Sequence, residues 1–287
     1  YRELEEVGVS VIIGGEISRT GMILAREAER SGIPTFGITT STHLLSRKKD
    51  HFYRIVMSTE MQGAILADYF YRQNISRVAV VTSVENKAFA DPYAEAFQKA
   101  FKGESVQIPF LAGEETFEKL FAWKPYVVFN ILPGSSLMQV IKEVKRRADD
   151  ILVMSSPWGY EELLSMFSGP LIDSVRVCSL RWEILPEFKD RVNKFEELYE
   201  VRSGSGAVFT FAVLDMVYRA IGEVGTNRND IDAYFQKPGI YISGYEIIWL
   251  DAYGDAIEQY YYILEIQKGK LTLKEKLKVQ QFPWDKL

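Results

Sequence analysis

The sequence predicts an α/β fold with two lobes, each built on a parallel β-sheet covered by helices. Short β-branched runs alternate with amphipathic segments along most of the chain, which is typical of strand–helix–strand units. The strands are apolar almost throughout, as in residues 77–82 (RVAVVT), and this indicates sheets covered on both faces. With 287 residues the chain exceeds one average domain, which favours two lobes of ordinary size.

The predicted elements follow one another in a regular order. Strands are predicted at 9–13, 34–38, 53–57, 77–82, 106–110, 126–129, 151–154 and 174–177. Helices are predicted at 19–31, 59–73, 91–102, 115–122, 135–148, 187–201 and 207–223. The last helix is apolar almost all round, so we expect it to be buried. Strands at 241–250 and 259–267, with a turn at Gly254-Asp255, indicate an antiparallel end to the fold.

The composition excludes several classes of function. The net charge is −5 and the basic residues are spread along the chain, so nucleic acid is not an expected partner. Cys178 is the only cysteine, which leaves neither an internal disulfide nor a cysteine metal site. No apolar run approaches the ~20 residues that span a bilayer, and the charged start does not resemble a signal peptide. The chain begins without Met, so we expect it to be part of a longer gene product.

Two hydroxyl-rich segments follow predicted strands. Residues 14–20 (GGEISRT) lead into a helix, where backbone N–H groups, the helix dipole and the Ser18 hydroxyl could hold an anionic group. Residues 39–42 (TTST) follow the second strand directly, and parallel sheets bind ligands at the carboxyl ends of their strands. Two alternatives remain: Ser18 is an ordinary N-cap, and residues 39–42 are a polar loop with local hydrogen bonds.

Catalytic interpretations are less well supported. His43 and His51 are the only histidines and could serve a Ser–His–Asp arrangement, but the sequence has no Gly-x-Ser-x-Gly elbow. Two histidines with no third ligand make a poor metal site. The loop at 204–206 (GSG) follows a helix rather than a strand, unlike a dinucleotide-binding loop. We therefore predict no catalysis, no metal and no cofactor.

A single tryptophan stands out in the middle of the chain. Trp158 lies in the loop 155–160 (SSPWGY), which follows the predicted strand 151–154 at its carboxyl end. A tryptophan in this position could stack on a ligand, and packing between the lobes is the alternative.

Several motifs occur in an order that is typical of one known family. They are 9–18 (VSVIIGGEIS), 32–34 (GIP), 39–42, 52–54 (FYR) with 62–63 (QG), 77–81, 91–97 and 241–255. This order resembles the branched-chain amino-acid-binding proteins of ABC importers. The resemblance implies the type I periplasmic-binding fold, with two Rossmann-like lobes joined by a three-segment hinge, which some receptor ligand-binding domains share. The family opens with a strand, helix and strand that are missing here, so we expect that part to be cleaved, disordered, lost from the numbering or supplied by another chain.

The resemblance also implies ligand-binding residues. In the family, a strand-end serine and a hydroxyl loop hold the carboxylate and amine of an amino acid, and the matching residues here are Ser18, Thr39, Thr40 and Ser41. In the second lobe Phe89 stands where the family commonly has a tyrosine, and Leu132 and Trp158 would complete an apolar wall. The acid that usually meets the ammonium group is absent near 157–158. A carboxylate or an aromatic, largely uncharged ligand is therefore expected rather than a standard α-amino acid.

The lobes and the function follow from the same resemblance. Lobe one is predicted at 1–57 and 179–240, and lobe two at 58–178 and 241–287, with crossovers near 57–59 and 178–180 forming a hinge with the final strands. Closure of the hinge around a ligand in the interlobe cleft would present a new surface to a membrane permease. These features predict the periplasmic or extracellular, membrane-attached solute-binding protein of an ABC importer, as a monomer or weak dimer. A ligand-sensing domain of a membrane receptor or regulator is the main alternative, and a hydrolase using Ser18 or His43 is a more distant one.

Overall fold

The computed structural model describes residues 1–181, 186–200, 203–243 and 247–280. These residues form two compact units. Unit 1 contains Tyr1–Ser58 and the described residues of Glu183–Glu258, and unit 2 contains the described residues of Thr59–Trp182 and Gln259–Gln280. Up to the last described residue, Gln280, the chain therefore passes between the units three times: after Ser58, between residues 181 and 186, and after Glu258.

Helices and strands alternate through most of the chain, as predicted. The helices are α1 (Arg2–Glu6), α2 (Ser18–Ser31), α3 (Thr59–Arg72), α4 (Lys87–Ala100), α5 (Glu114–Trp123), α6 (Gly134–Arg147), α7 (Tyr160–Met166), α8 (Pro186–Tyr199), α9 (Ser205–Val224) and α10 (Arg228–Phe235). The strands are β1 (Ile12–Gly14), β2 (Thr35–Gly37), β3 (Phe52–Arg54), β4 (Arg77–Ser83), β5 (Glu104–Phe110), β6 (Val127–Ile131), β7 (Leu152–Ser155), β8 (Arg176–Ser179), β9 (Gly239–Ile242), β10 (Ile247–Leu250), β11 (Tyr260–Gln267) and β12 (Lys270–Lys278). Within the described part of the chain, no helix is long and apolar enough to cross a membrane.

Unit 1 is built on a parallel sheet in the order β1–β2–β3. The register places Gly14 of β1 beside Gly37 of β2, so both strands end at the same edge of the sheet. The rings of Phe36 and Tyr53 stack with centroids 5.2 Å apart, and Phe235 of α10 packs edge-on against Phe36 at 4.9 Å. This aromatic cluster fixes α10 on the sheet.

Unit 2 is built on a seven-stranded sheet in the order β12–β11–β8–β7–β6–β4–β5. β4 to β8 pair in parallel, whereas β11 pairs antiparallel with both β8 and β12. The carboxyl ends of β4, β6 and β7 therefore lie at one edge, with Asn130 of β6 beside Ser155 of β7. The predicted α/β class with mostly parallel sheets and an antiparallel end is confirmed.

The later part of the chain differs from prediction in several respects. The predicted strand 241–250 is two strands, β9 and β10, which pair with each other. The described residues of 241–258 lie in unit 1, so they do not group with the final strands as predicted. The helix predicted at 207–223 is not buried all round, because Leu214 is 51% and Tyr218 78% exposed on one face of α9. That helix also begins at Ser205, within the predicted loop, and residues 281–287 of the predicted second lobe lie outside the described residues.

Candidate functional site

The two hydroxyl-rich segments lie side by side in unit 1. The chain leaves β1 at Gly14 and enters α2 at Ser18, and it leaves β2 at Gly37 to enter residues 39–42, which we name the hydroxyl loop. Because β1 and β2 are parallel neighbours, the hydroxyl loop stands beside the start of α2. The structure thus brings together the four unit 1 residues that the resemblance implied.

Hydrogen bonds hold the hydroxyl loop against the turn between β1 and α2. The Ser18 hydroxyl oxygen accepts a hydrogen bond from the Thr42 backbone N–H at 3.3 Å, and the Thr39 hydroxyl donates to the Glu16 carbonyl. The N-cap of α2 is Ile17, with no side-chain cap, so the alternative in which Ser18 is an ordinary N-cap was wrong. Ser18 instead ties the loop to the helix.

Thr40 has a packing role in this arrangement. Its side chain is fully buried, and its hydroxyl donates to the Gly15 carbonyl at 2.7 Å. A Cβ on Gly21 would lie 2.1 Å from the Thr40 hydroxyl oxygen, so the threonine rests directly on the α2 backbone. Gly15, at φ +75°, allows the tight turn that brings its carbonyl to Thr40.

The Ser41 hydroxyl differs from those of Ser18, Thr39 and Thr40, because no described residue forms a hydrogen bond with it. Ser41 is buried, with 4% of its surface exposed, and its hydroxyl has no hydrogen-bond partner among the described residues. It lies in the loop beside the first turn of α2, which contains no acidic residue. Backbone N–H groups at a helix start carry partial positive charge, so this corner of unit 1 suits an anionic group.

Unit 2 presents aromatic side chains at the carboxyl edge of its sheet. The rings of Phe89 and Trp158 meet edge to face, with centroids 5.7 Å apart. Phe89 is buried in the first turn of α4, and Trp158 is half-buried in the loop after β7. Tyr160, two residues after Trp158, is buried, which raises the pKa of its phenol, and its hydroxyl lies 3.3 Å from the Ser179 hydroxyl.

Leu132 differs from the role that the resemblance implied. Its side chain is fully buried in the hydrophobic core of unit 2, and its carbonyl oxygen would lie 2.4 Å from a Cβ on Gly159. Leu132 therefore supports the Trp158 loop through its backbone, while its side chain packs in the core.

Three buried polar groups at the same edge were not identified from the sequence. Within the described residues, Asn86 Oδ1, Asn130 Oδ1 and the Ser156 hydroxyl have no hydrogen-bond partner. The Ser156 backbone N–H donates to the Asn130 carbonyl at 2.8 Å, which fixes the start of the Trp158 loop. A polar residue directly after an apolar strand was the available signal for Ser156.

His51 makes structural contacts with α10. His51 Nδ1 lies 2.9 Å from Asp232 Oδ2, and the other carboxylate oxygen of Asp232 accepts a hydrogen bond from the Tyr53 hydroxyl at 2.7 Å. These contacts tie α10 to β3. Within the described ranges, no group of three or more His, Cys, Asp or Glu side chains is placed to hold a metal ion.

Comparisons with known proteins agree with this architecture. Residues 2–168, more than half of the chain, match the family model described as "Receptor family ligand binding region". Comparison with curated proteins finds no significant match to the chain.

Solved structures with the same fold include three solute-binding proteins. A leucine-binding protein LivK from Thermotoga maritima matches with a TM-score of 0.85 and 18% identity over 100% of this chain and 83% of that one. A solute-binding protein of an ABC transporter from R. palustris, in complex with benzoate, matches with a TM-score of 0.80 and 19% identity. This match covers 97% of this chain and 80% of that one. The branched-chain amino acid transporter substrate-binding protein LivJ from Streptococcus pneumoniae, in complex with isoleucine, matches with a TM-score of 0.83 and 16% identity. This match covers 96% of this chain and 81% of that one.

At these identities the solved structures establish the fold alone, and the family model adds the sequence relationship. The matched family model covers more than half of the chain, and the two units with parallel sheets agree with the fold of the solved structures. The chain therefore belongs to the receptor family of ligand-binding regions, with the type I periplasmic-binding fold.

Proposed function

We propose that this protein is the extracytoplasmic solute-binding protein of an ABC importer and that its ligand is a small organic carboxylate. The observation that carries the proposal is the hydroxyl of Ser41, a buried residue beside the start of α2, which has no hydrogen-bond partner among the described residues. A carboxylate there would receive hydrogen bonds from this hydroxyl and from backbone N–H groups.

The rest of the ligand is proposed to be apolar or aromatic. The half-buried Trp158 ring, which meets the buried Phe89 ring edge to face at the carboxyl edge of the unit 2 sheet, would pack on a flat apolar group. The loop 155–159 (SSPWG) has no acidic side chain with which to neutralise a ligand ammonium group. Aromatic carboxylates therefore fit these residues better than α-amino acids do.

Relatives of the same fold bind both classes of compound. Solved solute-binding proteins of ABC transporters are in complex with benzoate and with p-hydroxybenzoic acid, and others are in complex with isoleucine and leucine. We propose that unit 1 holds the ligand head group and unit 2 its apolar part, with closure at the three chain crossovers. On this proposal the protein acts outside the cytoplasm, delivers its ligand to a membrane permease and catalyses no reaction.

A thermal-shift screen tests the proposal. Benzoate, p-hydroxybenzoate, leucine and isoleucine would be added at increasing concentration to the wild-type chain, because a ligand at a hundred times its dissociation constant adds about 2.7 kcal/mol of stability. Ser41→Ala and Trp158→Ala should each abolish the shift. Ser165→Ala and Trp123→Ala are matched controls, since Ser165 lies on the exposed side of α7 and Trp123 stacks on Arg77 at the end of α5.

The outcomes are distinct. A shift that is lost in both site variants and kept in both controls supports the proposal. No shift with any of the four compounds, in protein that melts cooperatively, would contradict it and favour the alternative, a ligand-sensing domain of a membrane receptor. That alternative is supported by the description of the matched family model, which names receptors.

A further inference from the structure

Arg54, the last residue of β3, is a buried cation with an unusual set of partners. It is 1% exposed, and each nitrogen of its guanidinium group makes a hydrogen bond. Nε donates to Asp255 Oδ1 at 2.9 Å, Nη1 to the Thr42 carbonyl at 2.6 Å and Nη2 to both the Ser46 hydroxyl and Asp255 Oδ1. The guanidinium group therefore joins three segments: β3, residues 42–46 at and after the end of the hydroxyl loop, and the turn at 251–255.

The turn that carries Asp255 is itself fixed in place. The Arg54 backbone N–H donates to the Gly254 carbonyl at 2.9 Å, and Asp255 Oδ2 accepts from the Arg47 backbone N–H at 2.8 Å. Asp251 Oδ1 accepts from the Asp255 N–H at 3.0 Å, which closes the turn. Gly254 has φ +79°, and a Cβ there would lie 2.5 Å from the Tyr53 ring, so the turn rests directly on β3.

Both partners of the ion pair stand next to crossovers between the units. From Arg54 the chain runs through residues 55–57, all buried, to Ser58, where unit 1 ends. Asp255 is followed three residues later by Glu258, where unit 1 ends a second time. A buried ion pair with several hydrogen bonds has little freedom to adjust, because any displacement leaves a desolvated charge without its partner.

We propose that the Arg54–Asp255 ion pair couples the hydroxyl loop to these two crossovers. Arg54 is a positioning residue: it holds the carbonyl of Thr42 and thereby the neighbouring Ser41 hydroxyl, which the proposed function places against the ligand. A movement of the loop on binding is passed through the guanidinium group to residues 55–58 and 255–258. The planar fork of arginine is needed because lysine cannot hold three acceptors in fixed directions. The ligand part of this inference rests on the proposed function, whereas the coupling of the segments does not.

Hydrogen–deuterium exchange on the ligand-free, full chain tests the coupling directly. The variants are Arg54→Lys, which keeps the charge, and Asp255→Asn, which keeps the shape. In both, amide exchange in residues 39–46 and 55–58 should be at least about tenfold faster than in the wild-type chain. Ser46→Ala, which removes a single hydrogen bond to Arg54, should give a smaller change in the same segments.

Tyr53→Phe is the matched control on the same strand. It removes the buried hydrogen bonds of the Tyr53 hydroxyl to Asp232 and leaves the ring under Gly254 in place. Exchange should then rise in α10 and stay unchanged in the hydroxyl loop. Equal effects of Tyr53→Phe and Asp255→Asn on the loop, or unchanged loop exchange in Asp255→Asn, would overturn the inference.

A second arm measures affinity for benzoate and leucine. If the wild-type chain binds either probe, Asp255→Asn should weaken binding at least about tenfold, and its effect should be non-additive with that of Ser41→Ala. Wild-type binding that Asp255→Asn leaves unchanged overturns the positioning role. A wild-type chain that binds neither probe contradicts the proposed function, and the exchange experiment then still decides the coupling.

Discussion

Substitution of Gly21 by alanine tests whether Thr40 of the hydroxyl loop packs directly on the backbone of α2. Alanine is the better helix former by about 1 kcal/mol, so in an open helix position this change stabilises a protein. In α2, however, the new Cβ would lie 2.1 Å from the Thr40 hydroxyl oxygen and 2.4 Å from its Cγ2. Thr40 must therefore retreat by more than about 1 Å to reach an ordinary carbon contact distance of about 3.5 Å.

The retreat has a cost that can be estimated. Overpacking a buried site costs about 1–3 kcal/mol. The hydrogen bond from Thr40 to the Gly15 carbonyl is lost as well, which removes about 0.5–1.5 kcal/mol. After the gain in helix propensity, Gly21→Ala should destabilise unit 1 by about 1–3 kcal/mol, and it should weaken ligand binding because the loop moves.

Gly222→Ala is the matched control for this measurement. Gly222 lies in α9 of the same unit, and a Cβ there would meet nothing within 4 Å. Chemical denaturation of both variants, followed by circular dichroism, should show Gly222→Ala slightly more stable than wild type and Gly21→Ala clearly less stable. Equal stabilisation by the two substitutions would refute the packing of Thr40 on α2.

The further predictions concern three positions outside the hydroxyl loop: Gly254, Cys178 and Leu132. Gly254→Ala should cost more stability than Gly225→Ala, because both have positive φ but only the first would press a Cβ against Tyr53, and equal losses by denaturation would contradict this. Burial raises the pKa of the Cys178 thiol to about 12, so alkylation at pH 8 should proceed only as fast as unit 2 opens. Because the thiol ionises more easily in the unfolded chain, the contribution of Cys178 to the free energy of unfolding should be complete below pH ~8.5 and be lost as the pH rises toward 12. An equally steep alkaline loss of stability in Cys178→Ala would contradict this prediction. Leu132→Ala should destabilise unit 2 by about 2–5 kcal/mol because it leaves a cavity in the core. A loss of ligand affinity without a loss of stability would instead show that Leu132 lines the ligand site.

Much of the fold could be predicted because its signals are local. Apolar strands such as 77–82 and the helices between them follow from periodicity, and the placement of two hydroxyl-rich segments side by side follows from the geometry of parallel strands. α10 was missed because it is short and largely polar, and its start depends on the cap that Asn227 provides to the Asn229 N–H. The exposed face of α9 was missed because apolar residues occur on all sides of the helix, and composition does not tell which side packs.

The site was less predictable because its decisive contacts are long-range. The side chain of Leu132 packs in the core of unit 2, and the sequence does not encode this direction at the end of a strand. The ion pair between Arg54 and Asp255 joins residues 201 positions apart, so no spacing rule could connect them. Thr40 was grouped with the ligand hydroxyls, but its partner Gly21 shows that it packs against α2.

A calorimetric titration tests the central claim most directly, with the carboxylate that gives the largest thermal shift and with its uncharged amide as ligands. The account predicts that wild-type protein and Ser165→Ala bind the carboxylate much more tightly than the amide, because the hydroxyl loop and the start of α2 favour an anion. In Ser41→Ala the preference for the carboxylate should be reduced. Equal affinity for the two compounds in the wild-type chain, or an unchanged preference in Ser41→Ala, would contradict the proposal that this corner of unit 1 holds the ligand head group.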